Sequence, residues 1–90
     1  MEKCLRNGLY YPFYIVDAWK WVKDKRKENG GEYELFTLLE TESREEAMAK
    51  AKSTKLSTDV PEVIVRLDTG EDIEWICTID ESGLYDVKEA

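Results

Sequence analysis

The chain contains no histidine, and only two cysteines, two prolines and five glycines among its 90 residues. Histidine is the commonest general base at neutral pH and the commonest transition-metal ligand, so its absence excludes Ser–His and Cys–His nucleophilic pairs and ordinary zinc sites. Cys4 and Cys77 are far apart and form no CxxC pair. They can build neither a disulfide framework nor a structural zinc site, and read as reduced thiols. EF-hand loops, phosphate-binding loops and G-x-G-x-x-G turns are also missing, so no cofactor or metal is expected and no enzymatic role. No apolar run reaches the length of a signal peptide or a membrane span, which makes the cytosol the expected location and a membrane an unexpected partner.

What remains is the composition of a folded protein: 42% apolar, 37% charged and 11% aromatic residues. A chain of this size buries only roughly 60 to 70% of its unfolded surface, so residues 1–90 are expected to form a single domain around one modest core. The net charge of −7 is unevenly spread. Residues 1–56 hold eleven basic and ten acidic side chains, a balance of +1, whereas residues 57–90 hold two and ten, a balance of −8. Within the first part Lys20, Lys23, Lys25, Arg26 and Lys27 crowd into a basic arm, while the last third is acidic throughout.

One helix is easily placed. Ser43 followed by Glu46 has capping-box spacing, with the hydroxyl accepting from a free amide and the carboxylate reaching back to the cap. Glu45 and Glu46 in the first turn and Lys50, Lys52 and Lys55 later suit the helix dipole. The stripe of Ala47, Met48 and Ala51, closed by Leu56, needs a sheet to lie on.

After Pro61 the period becomes two. Val63, Val65 and Leu67 alternate with Glu62, Ile64, Arg66 and Asp68, and Ile73, Trp75, Cys77 and Ile79 alternate with Asp72, Glu74, Ile76, Thr78 and Asp80. A three-residue loop of Asp68, Thr69 and Gly70, with Gly70 left-handed, would place both apolar rows on one face, pairing Val65 with Ile73 and Val63 with Trp75. In that register Trp75 is a core anchor and Cys77 is buried, whereas Cys4 is reactive. The outer row then carries Glu62, Asp72, Glu74 and Asp80, with Asp68 and Glu71 at the turn, as an acidic face.

Earlier in the chain Tyr10–Val22 and Tyr33–Thr41 read as two long strands around Asn29, Gly30 and Gly31, although a helix from Asp17 also fits the spacing of Ile15, Ala18, Trp19 and Val22. A loop at Asn29–Gly31 would oppose Trp21 to Leu39 and Val22 to Leu38. Leu84–Val87 could add a last short strand. The expected fold is α+β, a mainly antiparallel sheet in the chain order β-β-α-β-β with a possible fifth strand, and a single helix packed on one face.

Two functions fit these materials. The first is a small acidic, non-catalytic protein-interaction or regulatory domain, an adaptor or inhibitor. It would bind a protein partner, and in its sharper form Glu62, Asp68, Glu71, Asp72, Glu74 and Asp80 on the C-terminal hairpin would imitate nucleic-acid phosphates. The second is nucleic-acid binding through Lys20, Lys23, Lys25, Arg26 and Lys27, with Trp19, Trp21 or Tyr33 stacking on bases.

Overall fold

The computed structural model describes residues 5–6, 8–23 and 30–88. Along the chain run β1 (Leu5–Arg6), β2 (Leu9–Tyr10), β3 (Phe13–Lys23), β4 (Gly31–Thr41), α1 (Arg44–Ser53), β5 (Glu62–Asp68), β6 (Ile73–Asp80) and β7 (Gly83–Tyr85). The short β1 and β2 pair with each other, and the other five strands form one antiparallel sheet in the spatial order β4-β3-β5-β6-β7. The α+β class with an antiparallel sheet and one helix is therefore as the sequence suggests. The helix considered from Asp17 does not form: Asp17 sits in the middle of β3, where aromatic and branched residues prevail over the helical spacing.

The helix begins as its cap requires, with the Ser43 hydroxyl accepting from the Glu46 amide at 3.2 Å. The reciprocal half of the box is different from the sequence expectation. The Glu46 carboxylate accepts from the Thr41 hydroxyl at 3.0 Å, and the Ser43 amide donates to Thr41 Oγ1 at 3.1 Å, so Thr41 at the end of β4 joins the cap to the sheet. Ala47 and Ala51 are fully buried, which allows α1 to lie close on β3, β4 and β5. The core between helix and sheet holds Val16, Ala18, Val63, Val65, Ile76 and Cys77, with Met48, Leu56, Val60 and Ile79 packed around it.

Both hairpin registers correct the sequence expectation. In the C-terminal hairpin Arg66 opposes Trp75 and Val65 opposes Cys77, leaving Ile76 as an extra residue across from that step. This bulge breaks the strict alternation of β6. Cys77 and Ile79 stay on the helix side, whereas Ile73 and Trp75 move to the opposite face and are about half exposed, so Trp75 is not a core anchor. The turn is also longer than expected. Asp68 accepts from the Gly70 amide at 2.9 Å, and the Thr69 hydroxyl accepts from the Asp72 amide at 3.0 Å, so side-chain bonds close a loop running from Thr69 to Asp72. Gly70 is left-handed as expected, with φ of +89°, and a Cβ there would also lie 3.1 Å from the Tyr11 ring.

In the first hairpin Trp21 opposes Tyr33 and Lys23 opposes Gly31. This register differs from the one a tight Asn29–Gly31 loop would set; residues 24–29, with Lys25, Arg26 and Lys27, lie outside the described residues, as does Cys4. A bulge between the Val16 and Asp17 pairings, absorbed on β4 at Leu38, further separates this register from the expected one. Gly31 is needed for close approach: an added Cβ would meet the Val22 carbonyl oxygen at 2.5 Å and the Trp21 indole at 2.7 Å.

Directly opposed residues share a sheet face. The face opposite α1 therefore carries Phe13, Ile15, Asp17, Trp19 and Trp21 of β3, Tyr33 and Leu35 of β4, Ile64 and Arg66 of β5, and Ile73, Trp75 and Thr78 of β6. Because β3 pairs with β5 only from Phe13 to Trp19, the far part of the β3–β4 hairpin continues beyond the sheet as a ribbon, in a molecule whose principal extents are 52 × 29 × 18 Å.

Candidate interaction surface

The six carboxylates expected to form one acidic face do not form a row. Glu62 and Asp80 oppose each other at the β7 end of the sheet and line, with Glu81, Tyr33 and Pro61, a groove of about 550 Å³. Glu71 and Asp72 are exposed in the turn at the other end, and Asp68 is buried there, bonded to the Gly70 amide. Glu74 lies on the helix side, where its carboxylate takes the Lys88 ammonium at 3.0 Å. The register explains this scatter, since the bulge at Ile76 and the longer turn distribute the acids over both faces and both ends. Among the described residues no three carboxylates or thiols come together as a metal-binding group, and no helix is long and apolar enough to cross a membrane.

Of the basic arm, Lys20 and Lys23 are described, both exposed on β3. Lys20 holds its ammonium 5.7 Å from the Phe36 ring centre, a cation–π contact on the helix side of the hairpin.

The exposed apolar surface of this hairpin is the most distinctive feature of the molecule. Trp21 and Tyr33 meet edge to face with ring centres 5.0 Å apart, yet are 38% and 47% exposed, and Leu35 beside them on the same face is 38% exposed. Phe36 adds exposed aromatic surface on the other face. A strand pair needs neighbours to bury its faces, and here α1 and β5 stop short. Trp21 and Tyr33 are visible in the sequence as candidates for contact, whereas Leu35 and Phe36 are not, because a strand with apolar residues on both faces does not show which of them stays uncovered. Both oppose residues of β3 that still pair with β5, Leu35 with Trp19 and Phe36 with Ala18, so their exposure comes from β4 lying at the edge of the sheet, which the sequence does not signal.

A second unforeseen feature lies in the middle of the same face. Asp17, 1% exposed, forms an ion pair with the Arg66 guanidinium, while Asp17 Oδ1 and Arg66 Nε have no hydrogen-bond partner among the described residues. Asp17 interrupts an apolar stretch of β3 and Arg66 is the sole base between residues 57 and 87, so each charge stands out in the sequence, but their pairing depends on β3 lying beside β5.

Cys77 is fully buried, its Sγ 3.7 Å from Met48 Sδ. Burial pushes its thiol above the ordinary value, against the opposing pull of the Arg44 and Lys52 charges. A raised thiol has less thiolate at any given pH, and the thiolate is the reactive form. Alkylation of Cys77 in the folded chain, followed by peptide mass mapping, is therefore expected to run at least about tenfold slower at pH 8 than in urea, with its rate rising at higher pH than for a free thiol.

Compared with known protein families, characterised proteins and solved structures, the chain matches none.

Proposed function

We propose that this chain is a non-catalytic protein-interaction domain whose working surface is the β3–β4 hairpin. The observation that carries the reading is the exposed cluster of Trp21, Tyr33 and Leu35, which begins on the edge strand β4 and continues past the last β3–β5 pair. Clustered exposed aromatics are a costly feature for a small acidic domain to keep, and they supply large, rigid contact area at low conformational entropy. The carboxylates of the C-terminal hairpin support the phosphate-mimic form less well, because Glu74 and the Glu71–Asp72 turn lie away from Glu62 and Asp80. The protein partner is instead expected to seat an apolar segment on the hairpin.

The test is quantitative affinity capture from an extract of the source cell, comparing the wild type with two variants. Tyr33→Ser combined with Leu35→Ser is expected to reduce the captured partner by about tenfold or more, as removal of two central apolar contacts does. Glu71→Lys with Asp72→Lys is expected to leave it unchanged. Equal capture by the apolar variant would move the working surface elsewhere. A salt-sensitive shift of single-stranded oligonucleotide, lost when Lys20 and Lys23 become Glu, would give the hairpin to nucleic acid.

A further inference from the structure

We infer that the outer edge of β4 receives an extended segment of the partner protein as a sixth strand, and that this segment alternates apolar with basic residues; the inference rests on the reading of the hairpin as a protein-binding surface. In an antiparallel ladder, opposed residues either exchange both hydrogen bonds or direct both away from each other, in alternation. The Trp21 amide donates to the Asp59 carbonyl at 2.7 Å, away from β4. Trp21 and its opposite residue Tyr33 therefore turn their backbone groups apart, and Tyr33 points its N–H and C=O outward. Two residues on, Leu35 opposite Trp19 does the same, and so does Thr37 opposite Asp17. No strand among the described residues pairs with that edge.

The side chains along the edge specify what would fit it. Tyr33 and Leu35 lie on one face with Trp21, while Glu32 and Glu34 lie on the other. From Gly31 to Thr41 the strand contains Glu32, Glu34 and Glu40 and no basic residue. Over Glu32–Leu35 an added strand thus meets apolar surface with every second residue and carboxylates with those between; past Leu35 the carboxylate face continues with Phe36, and Lys20 of β3 opposes Glu34 on it. Main-chain bonds would supply the affinity and this alternation the specificity, as in other cases of strand addition.

The charges also favour a basic segment over a second copy of this chain. Antiparallel self-pairing centred on Glu34 sets that residue against itself, and centred on Tyr33 it sets Glu32 against Glu34. Centring on Leu35 avoids both but still joins two bodies of net charge −7. Charged edge strands are a common protection against self-pairing, and the same carboxylates attract lysine and arginine.

The probe is a capped synthetic peptide alternating Lys and Val, titrated into the full chain while amide hydrogen exchange is followed residue by residue. The expected result is saturable binding that weakens with salt and slows exchange at Tyr33 and Leu35 by about tenfold or more. Replacing every peptide Lys by Glu, or N-methylating the peptide amides that face β4, is expected to weaken binding by at least about tenfold. Absence of binding, equal binding of the Glu peptide, or protection away from β4 overturns the inference. Protection of the same amides without peptide, with sedimentation as a dimer, overturns it in favour of a second copy. In the capture experiment, Thr37→Pro obstructs the edge while leaving Trp21, Tyr33 and Leu35 in place. If that variant captures normally but the Tyr33→Ser, Leu35→Ser variant does not, the hairpin surface stands and strand addition fails; if both capture normally, the hairpin reading itself fails.

Discussion

Arg66→Ala is expected to destabilise the domain by about 3–5 kcal/mol, a large share of the roughly 5–15 kcal/mol that holds a small protein folded. The reason is what it leaves behind. Asp17 is 1% exposed in the central part of β3, and its Oδ1 has no hydrogen-bond partner among the described residues, so the Arg66 guanidinium on the adjacent strand is the group that compensates the buried carboxylate. Removing it strands a charge in a low-dielectric setting, and that desolvation cost is far greater than the net worth of the pair. The converse variant should be milder. With Asp17→Ala the Arg66 side chain, 25% exposed, can turn its head to water along its own stem, so about 1–2 kcal/mol is expected. Replacing both partners, as Asp17→Leu with Arg66→Met, should bring stability back close to the wild type, because a well-packed apolar pair of similar volume is often as good as a buried ion pair. Urea midpoints at constant slope measure all three. Equal losses for the two single variants would show that the two charges are equally desolvated and would contradict the asymmetry argued here.

The same pair shows what the sequence can and cannot convey. The helix, its cap and its small inward residues are local features, set by spacing within one or two turns, and they appear where the pattern puts them: Ser43, Ala47 and Ala51 are each in the expected place. The strands are legible as strands for the same reason. Registers are not local. A bulge of one residue at Ile76 exchanges the faces of everything beyond it, and nothing in the alternation of Ile73, Trp75, Cys77 and Ile79 announces the break. Every conclusion drawn through the register inherits that error, including the burial of Trp75 and the single acidic row. The candidate surface was half legible. Trp21 and Tyr33 stand out as aromatics beside lysines, but their exposure depends on β5 and α1 ending before the hairpin does, and that is a property of the assembled sheet.

Phe13→Ala is expected to cost about 3–5 kcal/mol, and Trp75→Ala only about 1 kcal/mol, although tryptophan is the larger side chain. Phe13 begins β3 with no exposed surface, opposed to Asp68 and with its ring centre 5.4 Å from that of Tyr11. Tyr11 in turn lies against Gly70, so the two rings sit beside the β5–β6 turn on the face that α1 leaves uncovered. Truncating Phe13 removes a whole buried ring and opens a cavity whose walls, the β3 and β5 backbones and the turn, are too well tied by hydrogen bonds to collapse into it. Trp75 is 47% exposed and keeps its indole Nε1 bonded to Thr78 Oγ1 at 2.9 Å, so its loss forfeits a hydrogen bond and part of a surface contact. Thermal or urea unfolding of the two variants decides between the registers. A bulge-free hairpin pairing Val63 with Trp75 would bury the indole and make Trp75→Ala the more damaging change. The reverse ranking follows only if Ile76 is the residue that the ladder leaves unpaired.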